Sequence, residues 1–336
     1  GAAAVAGWMQ RPEAPRDGPV ERFRIEIPEY LPNAPLFLGA LSPDGSAIAF
    51  LGWDEDRVLR WFLKDAGELD GTMVEGLQAE DVGAMAFSPD GERMAVATSN
   101  GRLLTLPRSG GSVSAQAEVG PGTIVWPEDG PVAVSEPGRI VRVAVDEGVL
   151  DTIPLSDSLS VVQQMAPLPE GRGFLYVERA GGGTPNLWAF DARSGETRLV
   201  REGIAAAWYG GAGTLVFVEM DPDFTATVAA ARFDIASLQV QGVPVELAEP
   251  VEARPGGPNV IVAAGGTAVY SPRDGSFARF ELVWVDRSGT VEPVDRGFAF
   301  GALDQGGQRL SPDGSRVVLS VTPEGPAGRL DVVVKR

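Results

Sequence analysis

The phrase Ser42-Pro43-Asp44-Gly45 recurs twice in this chain, as Ser88-Pro89-Asp90-Gly91 and as Ser311-Pro312-Asp313-Gly314. Each copy is followed closely by an apolar run. Proline presets φ at the second position of a turn, aspartate hydrogen-bonds the nearby backbone, and glycine accepts a left-handed conformation. The three copies therefore predict tight turns between antiparallel strands, with a structural role for the proline, aspartate and glycine of each.

Weaker copies of the turn lie between the second and third strong ones. With them, a turn glycine returns every 39 to 55 residues. This spacing is typical of one four-stranded blade of a β-propeller. Paired helices can have a similar period, but the segments between turns are too short and too rich in Val, Gly and Pro. The weaker copies are Pro127-Glu128-Asp129-Gly130, Pro169-Glu170-Gly171, Tyr209-Gly210-Gly211 and Ala264-Gly265-Gly266.

The strands predicted after these turns are almost wholly apolar. Examples are residues 47–50, 94–97, 174–177, 215–218 and 317–319. Continuous apolar runs are typical of strands that are covered on both faces, as between neighbouring blades. A second strand of the unit follows after a polar gap, for example at residues 58–62, 140–143, 187–190 and 282–285. The pattern predicts an all-β propeller of four-stranded antiparallel blades.

The two ends of the chain suggest how the ring closes. Residues 22–27 alternate as one strand, and the seventh unit stops after its third strand at residues 331–334. We therefore predict that residues 22–336 form seven blades, with the N-terminal strand completing the last. The alternative is a fragment of a longer blade array. Residues 10–21 are predicted to be a linker, and residues 1–9 the apolar end of a transmembrane helix or signal peptide, or a disordered terminus.

Composition excludes several kinds of chemistry. The 336 residues contain no histidine and no cysteine, and the net charge is −18. Without these residues the chain lacks Ser-His-Asp and Cys-His nucleophile systems, disulfides and thiolate metal sites. The acidic balance argues against nucleic acid as a partner. A pair of carboxylates of the glycosidase kind stays possible, but among 46 acidic residues some always lie near each other. We therefore predict a protein that is not an enzyme, with no catalytic residue and no cofactor.

Two acidic clusters could bind calcium, because that ion prefers oxygen ligands. The candidate ligands are Asp54 and Asp56 in one loop and Asp221 and Asp223 in another. Both loops follow an apolar strand, and neither has the spacing of an EF-hand. The alternative is that these are solvated loop charges at the rim of a blade.

Tryptophans are candidates for a ligand groove. Trp53, Trp126 and Trp208 occur near turns. Trp61, Trp188 and Trp284 instead occupy equivalent strand positions in three units. This equivalence favours packing between blades for the second group.

The repeated Ser-Pro-Asp-Gly turn followed by an apolar strand resembles the TolB-type, WD-repeat-like propeller repeat of bacteria. Residues 22–29, 267–270 and 282–289 resemble, in that order, the extracytoplasmic sensor region of bacterial membrane-anchored serine/threonine kinases. The resemblance implies a sensor or recognition module, in the periplasm or at the cell surface, anchored to the membrane through its N-terminal segment. It implies a protein, peptide or glycan ligand.

Two other functions agree with the same repeat. One is a free periplasmic protein-interaction scaffold of the TolB kind, and the other is the accessory propeller of a peptidase. No kinase motif occurs in the chain, so kinase activity is not assigned to it.

Overall fold

The structure is a computed structural model. All of its described strands belong to the unit Ala34–Arg336. The predicted turns join antiparallel strands in this unit. The predicted segments 1–9, 10–21 and 22–27 lie outside the described residues. The structure describes residues 39–335 except 55, 57, 66, 69–70, 79–82, 182, 221–225, 248–250, 252, 255–256, 259, 264–265, 271–279, 282, 286–290, 294–298, 301, 304–308, 314 and 323–330.

Five four-stranded antiparallel sheets, here called blades 1 to 5, follow one another along the chain. Each blade consists of four consecutive strands that pair in chain order. The strands of blades 1 to 3 are β1 (Ala40–Leu41), β2 (Ala47–Trp53), β3 (Leu59–Asp65), β4 (Thr72–Met73), β5 (Gly83–Phe87), β6 (Arg93–Thr98), β7 (Arg102–Pro107), β8 (Ser114–Glu118), β9 (Ile124–Val125), β10 (Val132–Glu136), β11 (Arg139–Ala144) and β12 (Gly148–Pro154). Those of blades 4 and 5 are β13 (Val161–Pro167), β14 (Gly173–Arg179), β15 (Asn186–Asp191), β16 (Glu196–Glu202), β17 (Ile204–Tyr209), β18 (Thr214–Met220), β19 (Ala226–Asp234) and β20 (Gln239–Glu246).

The rest of the described chain forms four two-stranded sheets and one branched sheet of four strands, which do not pair in chain order. Strand pairs are β21 with β22, β23 with β24, β25 with β28 and β26 with β27, and β31 pairs with β29, β30 and β32. Their bounds are β21 (Ala253–Arg254), β22 (Gly257–Pro258), β23 (Val260–Val262), β24 (Ala268–Tyr270), β25 (Phe280–Glu281), β26 (Val283–Val285), β27 (Val291–Pro293), β28 (Ala299–Phe300), β29 (Ala302–Leu303), β30 (Arg309–Leu310), β31 (Val317–Thr322) and β32 (Asp331–Lys335).

The all-β propeller of four-stranded antiparallel blades is confirmed, whereas the count of seven is not. Five complete blades occur among the described residues. The proposed closure through residues 22–27 involves residues outside them, so it stays a prediction.

The first strands of the blades lie side by side. In chain order β1 contacts β5, β5 contacts β9, β9 contacts β13, and β13 contacts β17. Strand β23 then contacts both β17 and β1. These six, called the inner strands below, therefore form a ring, and the other strands of each blade follow outward from it.

Local hydrogen bonds explain the recurring turn. In the second copy, Ser88 Oγ donates to Asp90 Oδ1 at 2.5 Å and accepts from the Arg93 N–H at 2.9 Å. The Glu92 N–H donates to the same carboxylate oxygen at 3.0 Å. The Gly91 N–H donates to the Ser88 carbonyl oxygen at 2.9 Å. One serine and one aspartate thus satisfy the polar groups of the whole turn.

The other two strong copies repeat this network. Ser42 Oγ donates to Asp44 Oδ1 at 2.6 Å, and Ser311 Oγ donates to Asp313 Oδ1 at 2.5 Å. In both copies the serine oxygen also accepts from the N–H five residues later, at 2.9 Å. The role of this serine was not predicted, although serine recurs in all three copies.

The turn glycines have the conformation that the repeat predicted. Within the described residues, the six aligned glycines all have positive φ, from +61° at Gly171 to +110° at Gly130. They include Gly45 and Gly91, both at +73°. Gly314 lies outside the described residues. Gly130 and Gly266 also donate to the carbonyl oxygen three residues earlier, as in the strong copies, whereas the turns at Gly171 and Gly211 close through the N–H groups of Arg172 and Thr214 instead.

The turn network makes the aspartates stronger acids. The Ser42 hydroxyl and the Ser46 N–H hold the pKa of Asp44 at about 2, below its ordinary 3.8. The Ser311 hydroxyl does the same for the pKa of Asp313, also to about 2. The hydroxyl of Ser88 lowers the pKa of Asp90. Each hydrogen bond therefore favours the ionised carboxylate in the folded protein.

A pH dependence of stability follows from these shifts. Because the folded pKa of Asp44 lies below the unfolded one, its stabilisation is complete above about pH 4 and is lost as the pH falls towards 2. We expect Asp44→Asn to unfold more easily than the wild type at neutral pH, and this difference to disappear by about pH 2. Urea unfolding across that range measures it. A difference that does not change with pH would contradict the assignment.

Both faces of the second strands are buried, as their apolar runs predicted. In β14, Leu175 packs in a cluster with Ala207 and Phe217 of blade 5. Its neighbour Phe174 packs in a different cluster, with Ile140 of blade 3. Alternate side chains therefore hold one blade to the blade on either side.

The part of the chain that the structure describes contains no helix long and apolar enough to cross a membrane.

Candidate binding cavity

The inner strands surround a cavity of about 530 Å³. This volume lies within the range of about 300–1,000 Å³ that ligand pockets occupy. The cavity is lined by residues of all six strands and by the turns that follow them. Small and apolar side chains predominate, among them Ala84, Ala86, Ile124, Met165, Ala205, Ala206 and Val262.

One end of the cavity is aromatic and rich in proline. Trp126 and Trp208 line it at the points where β9 and β17 lead into their turns. The prolines of the neighbouring turns, Pro43, Pro89 and Pro169, also line it. This part of the cavity is called the turn end below. Rigid rings and apolar surface at this end suit an apolar ligand group.

The two tryptophans of the turn end are held by their surroundings. Trp126 Nε1 donates to the Gly130 carbonyl oxygen at 3.0 Å, and the Arg93 guanidinium lies 5.8 Å from the ring centroid. Trp208 packs in an apolar cluster with Val216 and Val262. The interpretation of Trp126 and Trp208 as groove residues therefore agrees with their position. The side chain of Trp53 lies outside the described residues.

The tryptophans assigned to packing have that role where they are described. Trp61 is 2% exposed in the cluster between blades 1 and 2. Trp188 stacks on Tyr176, with ring centroids 6.5 Å apart, on the blade 3 side of blade 4. The side chain of Trp284 lies outside the described residues.

Several polar side chains of the lining already have partners within the protein. Glu128 Oε2 accepts from the Gly171 N–H at 3.1 Å. Tyr209 Oη accepts from the Gly213 N–H at 2.9 Å. Gln164 Oε1 accepts from the Ala207 N–H at 3.2 Å, which links β13 to β17. Gln164 keeps one free donor, however, because its Nε2 is buried without a hydrogen-bond partner among the described residues.

Two neighbouring inner strands carry β-bulges. In β13 the pairing with β14 skips Gln163, and in β17 the pairing with β18 skips Ala205. Both skipped residues line the cavity. Bulges often occur next to binding and catalytic sites, where they redirect a side chain. Sequence reasoning missed both residues, although two glutamines within the apolar run at residues 161–166 were a signal.

The first calcium candidate has another role. Asp54 Oδ1 accepts from the N–H groups of Asp56 and Val58, at 3.0 and 2.8 Å. Its other oxygen lies 3.3 Å from Arg60 Nε. The Val58 hydrogen bond is the main cause that lowers the pKa of Asp54. This carboxylate therefore closes the turn between β2 and β3.

The remaining candidates form no described cation site. Asp56 is exposed, and Asp221 and Asp223 lie outside the described residues. Nearby Glu219 pairs with Arg201 at 2.7 Å. Within the described part of the chain, no group of three acidic residues could hold a metal ion.

Comparisons with known proteins agree with the fold. No family model matches the chain, and no curated protein sequence matches it. TolB of Agrobacterium tumefaciens is similar in structure, with a TM-score of 0.51 and 17% identity over 70% of this chain and 89% of that one. TolB of Acinetobacter baumannii has a TM-score of 0.45 and 17% identity over 58% of this chain. That alignment spans 51%, about half, of the Acinetobacter protein.

An oligogalacturonate lyase in complex with manganese has a TM-score of 0.44 and 13% identity, over 88% of this chain and 75% of that one. Alignments with TM-scores below 0.5 carry no argument about this chain. At 17% identity, the likeness to the Agrobacterium protein shows the fold alone. The chain is an all-β propeller with structural similarity to TolB propellers.

Proposed function

We propose that this protein is a non-catalytic recognition propeller that binds a protein segment, a peptide or a glycan in its central cavity. The observation that carries the proposal is the cavity of about 530 Å³ with mostly apolar walls and two tryptophans at its turn end. Apolar surface exposed to water in a concave site is typical of ligand binding. The walls belong to paired strands, so the site is formed before the ligand arrives.

The chemistry of the lining supports binding without catalysis. Among the lining residues Glu128 is the one ionisable carboxylate, and it is engaged by the Gly171 N–H. Glycoside hydrolysis of the common kind needs two carboxylates flanking the bond. With no histidine in the chain, the usual general base near neutral pH is missing as well.

The resemblance noted in the sequence suggests a cellular setting. We propose that the propeller lies outside the cytoplasmic membrane and senses ligands for a membrane-anchored serine/threonine kinase, through its N-terminal segment. The encoding gene tests this: a kinase domain and an apolar helix of about 20 residues should precede residue 1. A signal peptide directly after the start codon would instead indicate a free scaffold of the TolB kind. A hydrolase domain after residue 336 would indicate the accessory propeller of a peptidase.

A variant that fills the cavity tests the binding site itself. Ala205 lines the cavity, is 6% exposed and belongs to none of the apolar clusters that hold the blades together. The phenyl ring of Ala205→Phe should therefore extend into ligand space, and the melting temperature of the variant tests whether the blades still pack. Probes are a panel of acetylated, amidated hexapeptides and a panel of neutral hexasaccharides, titrated while tryptophan fluorescence and binding heat are recorded. We expect at least one panel to bind, and Ala205→Phe to weaken that binding by at least about tenfold.

The matched control is Ala115→Phe, on the exposed outer strand β8. It adds the same ring far along the blade from the inner strands and should leave binding unchanged. Melting temperatures of both variants establish that they are folded. If no probe binds, or if Ala205→Phe binds as tightly as the wild type, the proposed site is wrong.

A further inference from the structure

The bulge in β13 places Gln163 outside the regular alternation of its strand. Side chains on one face of a strand normally lie at every second position, so their residue numbers differ by an even number. Val162 and Met165 nevertheless pack in the same cluster, on the side of blade 3. The extra residue between them is Gln163, since β14 pairs with Val162 and then with Gln164. Gln163 therefore belongs to neither blade interface.

The neighbouring strand repeats the arrangement. Ile204 and Ala207 of β17 both pack in the cluster shared with blade 4. The extra residue in this strand is Ala205. Because the two bulged strands are adjacent, the cavity wall here has one amide side chain beside a methyl group, which leaves room around the amide. Gln164 links the two strands through the Ala207 N–H at 3.2 Å, and this bond stabilises the arrangement.

The Gln163 amide is available to a ligand. Gln163 is half-buried and lines the cavity. In the described part of the chain it makes no hydrogen bond, in contrast to Gln164, Glu128 and Tyr209 of the same lining. A primary amide carries both a donor and an acceptor. An extended peptide main chain matches it, because the N–H and the C=O of one residue point to the same side of the chain.

The walls restrict the rest of the ligand. No lysine or arginine lines the cavity, and its one carboxylate, Glu128, is exposed and accepts from the Gly171 N–H. An anionic ligand group would therefore lose its hydration without gaining a partner, and a cationic group would find one only at the exposed position of Glu128. The many hydroxyls of a glycan would meet the same cost against alanine, methionine and tryptophan. An uncharged apolar segment with regularly spaced amides fits better.

We propose that the cavity binds an uncharged apolar peptide segment, with its apolar side chains towards the turn end and the N–H and C=O of one of its residues paired with the Gln163 amide. This inference rests on the proposed function and specifies the ligand class of the same site. Gln163 lies near the start of β13, and the turn follows the end of that strand. The Gln163 amide, called the anchor below, is therefore at the end of the cavity opposite Trp126 and Trp208.

The test uses Gln163→Leu, which has a similar size and no hydrogen-bonding group. Probes are acetylated, amidated hexapeptides of alanine, leucine, valine and phenylalanine, with neutral hexasaccharides as the competing class. We expect the peptides to bind the wild type and to bind Gln163→Leu about tenfold more weakly, because a peptide group is left unpaired in an apolar site. The ¹⁵N-labelled Gln163 side-chain amide, identified by its absence from the variant's spectrum, should shift when peptide is added.

The matched control is Gln239→Leu, the same change at an exposed position of β20. It should bind peptide as the wild type does. Equal peptide binding by Gln163→Leu and the wild type would overturn the anchor, yet leave the proposed function standing if Ala205→Phe still weakens binding. Binding of the hexasaccharides alone would overturn the peptide class only. Failure of every probe would overturn both.

Discussion

Gly173→Ala is expected to lower the free energy of unfolding by about 3 kcal/mol or more. Gly173 begins β14 and has φ +97°, where a side chain is strained in any surroundings. An added Cβ would also lie 2.3 Å from the Phe190 carbonyl oxygen, which belongs to the paired strand β15. The collision is with backbone in the centre of blade 4, so a side-chain rotation cannot relieve it. Urea unfolding followed by circular dichroism measures the loss.

The matched control lies two residues earlier in the same turn. Gly171 also has a left-handed φ, +61°, but no atom lies within 4 Å of the position of an added Cβ. Gly171→Ala carries the conformational strain without the collision and should cost about 1 kcal/mol. Equal losses for the two variants would mean that the backbone of blade 4 can move away from the new methyl group. A collision with the paired strand β15 would then not be the cause of the stability lost in Gly173→Ala.

Leu175→Ala is expected to cost about 2–5 kcal/mol. Leu175 is fully buried and packs in the cluster shared by blades 4 and 5, against Ala207 and Phe217. Because paired strands on both sides of this interface limit how far it can relax, removing the side chain leaves a cavity. Denaturant unfolding with an unchanged slope would identify the effect as lost stability of the folded state.

Leu159→Ala is the control for the same change of residue. Leu159 lies in the connection between β12 and β13 and is 76% exposed. Its truncation should alter the free energy of unfolding by less than about 0.5 kcal/mol. If Leu175→Ala were as mild, the interface between the blades would not be the main source of stability in this part of the fold.

The turn network could be predicted from the sequence, whereas the role of Asp54 could not, for a physical reason. Ser88, Asp90 and Arg93 lie within six residues, so their hydrogen bonds are a property of the local sequence. The partners of Asp54 are almost as local, since the N–H groups of Asp56 and Val58 and the Arg60 guanidinium lie within six residues of it. The acidic charge of the loop was visible in the sequence, whereas the hydrogen bonds of the carboxylate depend on how the loop folds.

The ligand cavity shows the same limit more strongly. Trp126 and Trp208 could be singled out because each lies beside a turn. The two glutamines within the apolar run were a signal, but they did not show which of them would fall outside the strand alternation. That position depends on which residues of β14 pair with Val162 and Gln164. A bulge arises from the register of two strands, and register is set by packing of the whole sheet.

By itself, the sequence determined the turns, the apolar strands between them and hence the blade as the repeating unit. Each of these depends on residues that are close along the chain. The tertiary structure decided that five complete blades occur among the described residues, that β23 lies between β17 and β1, and which side chains the ring leaves for a ligand. These features depend on contacts between strands far apart in sequence, whose energies no single repeat contains.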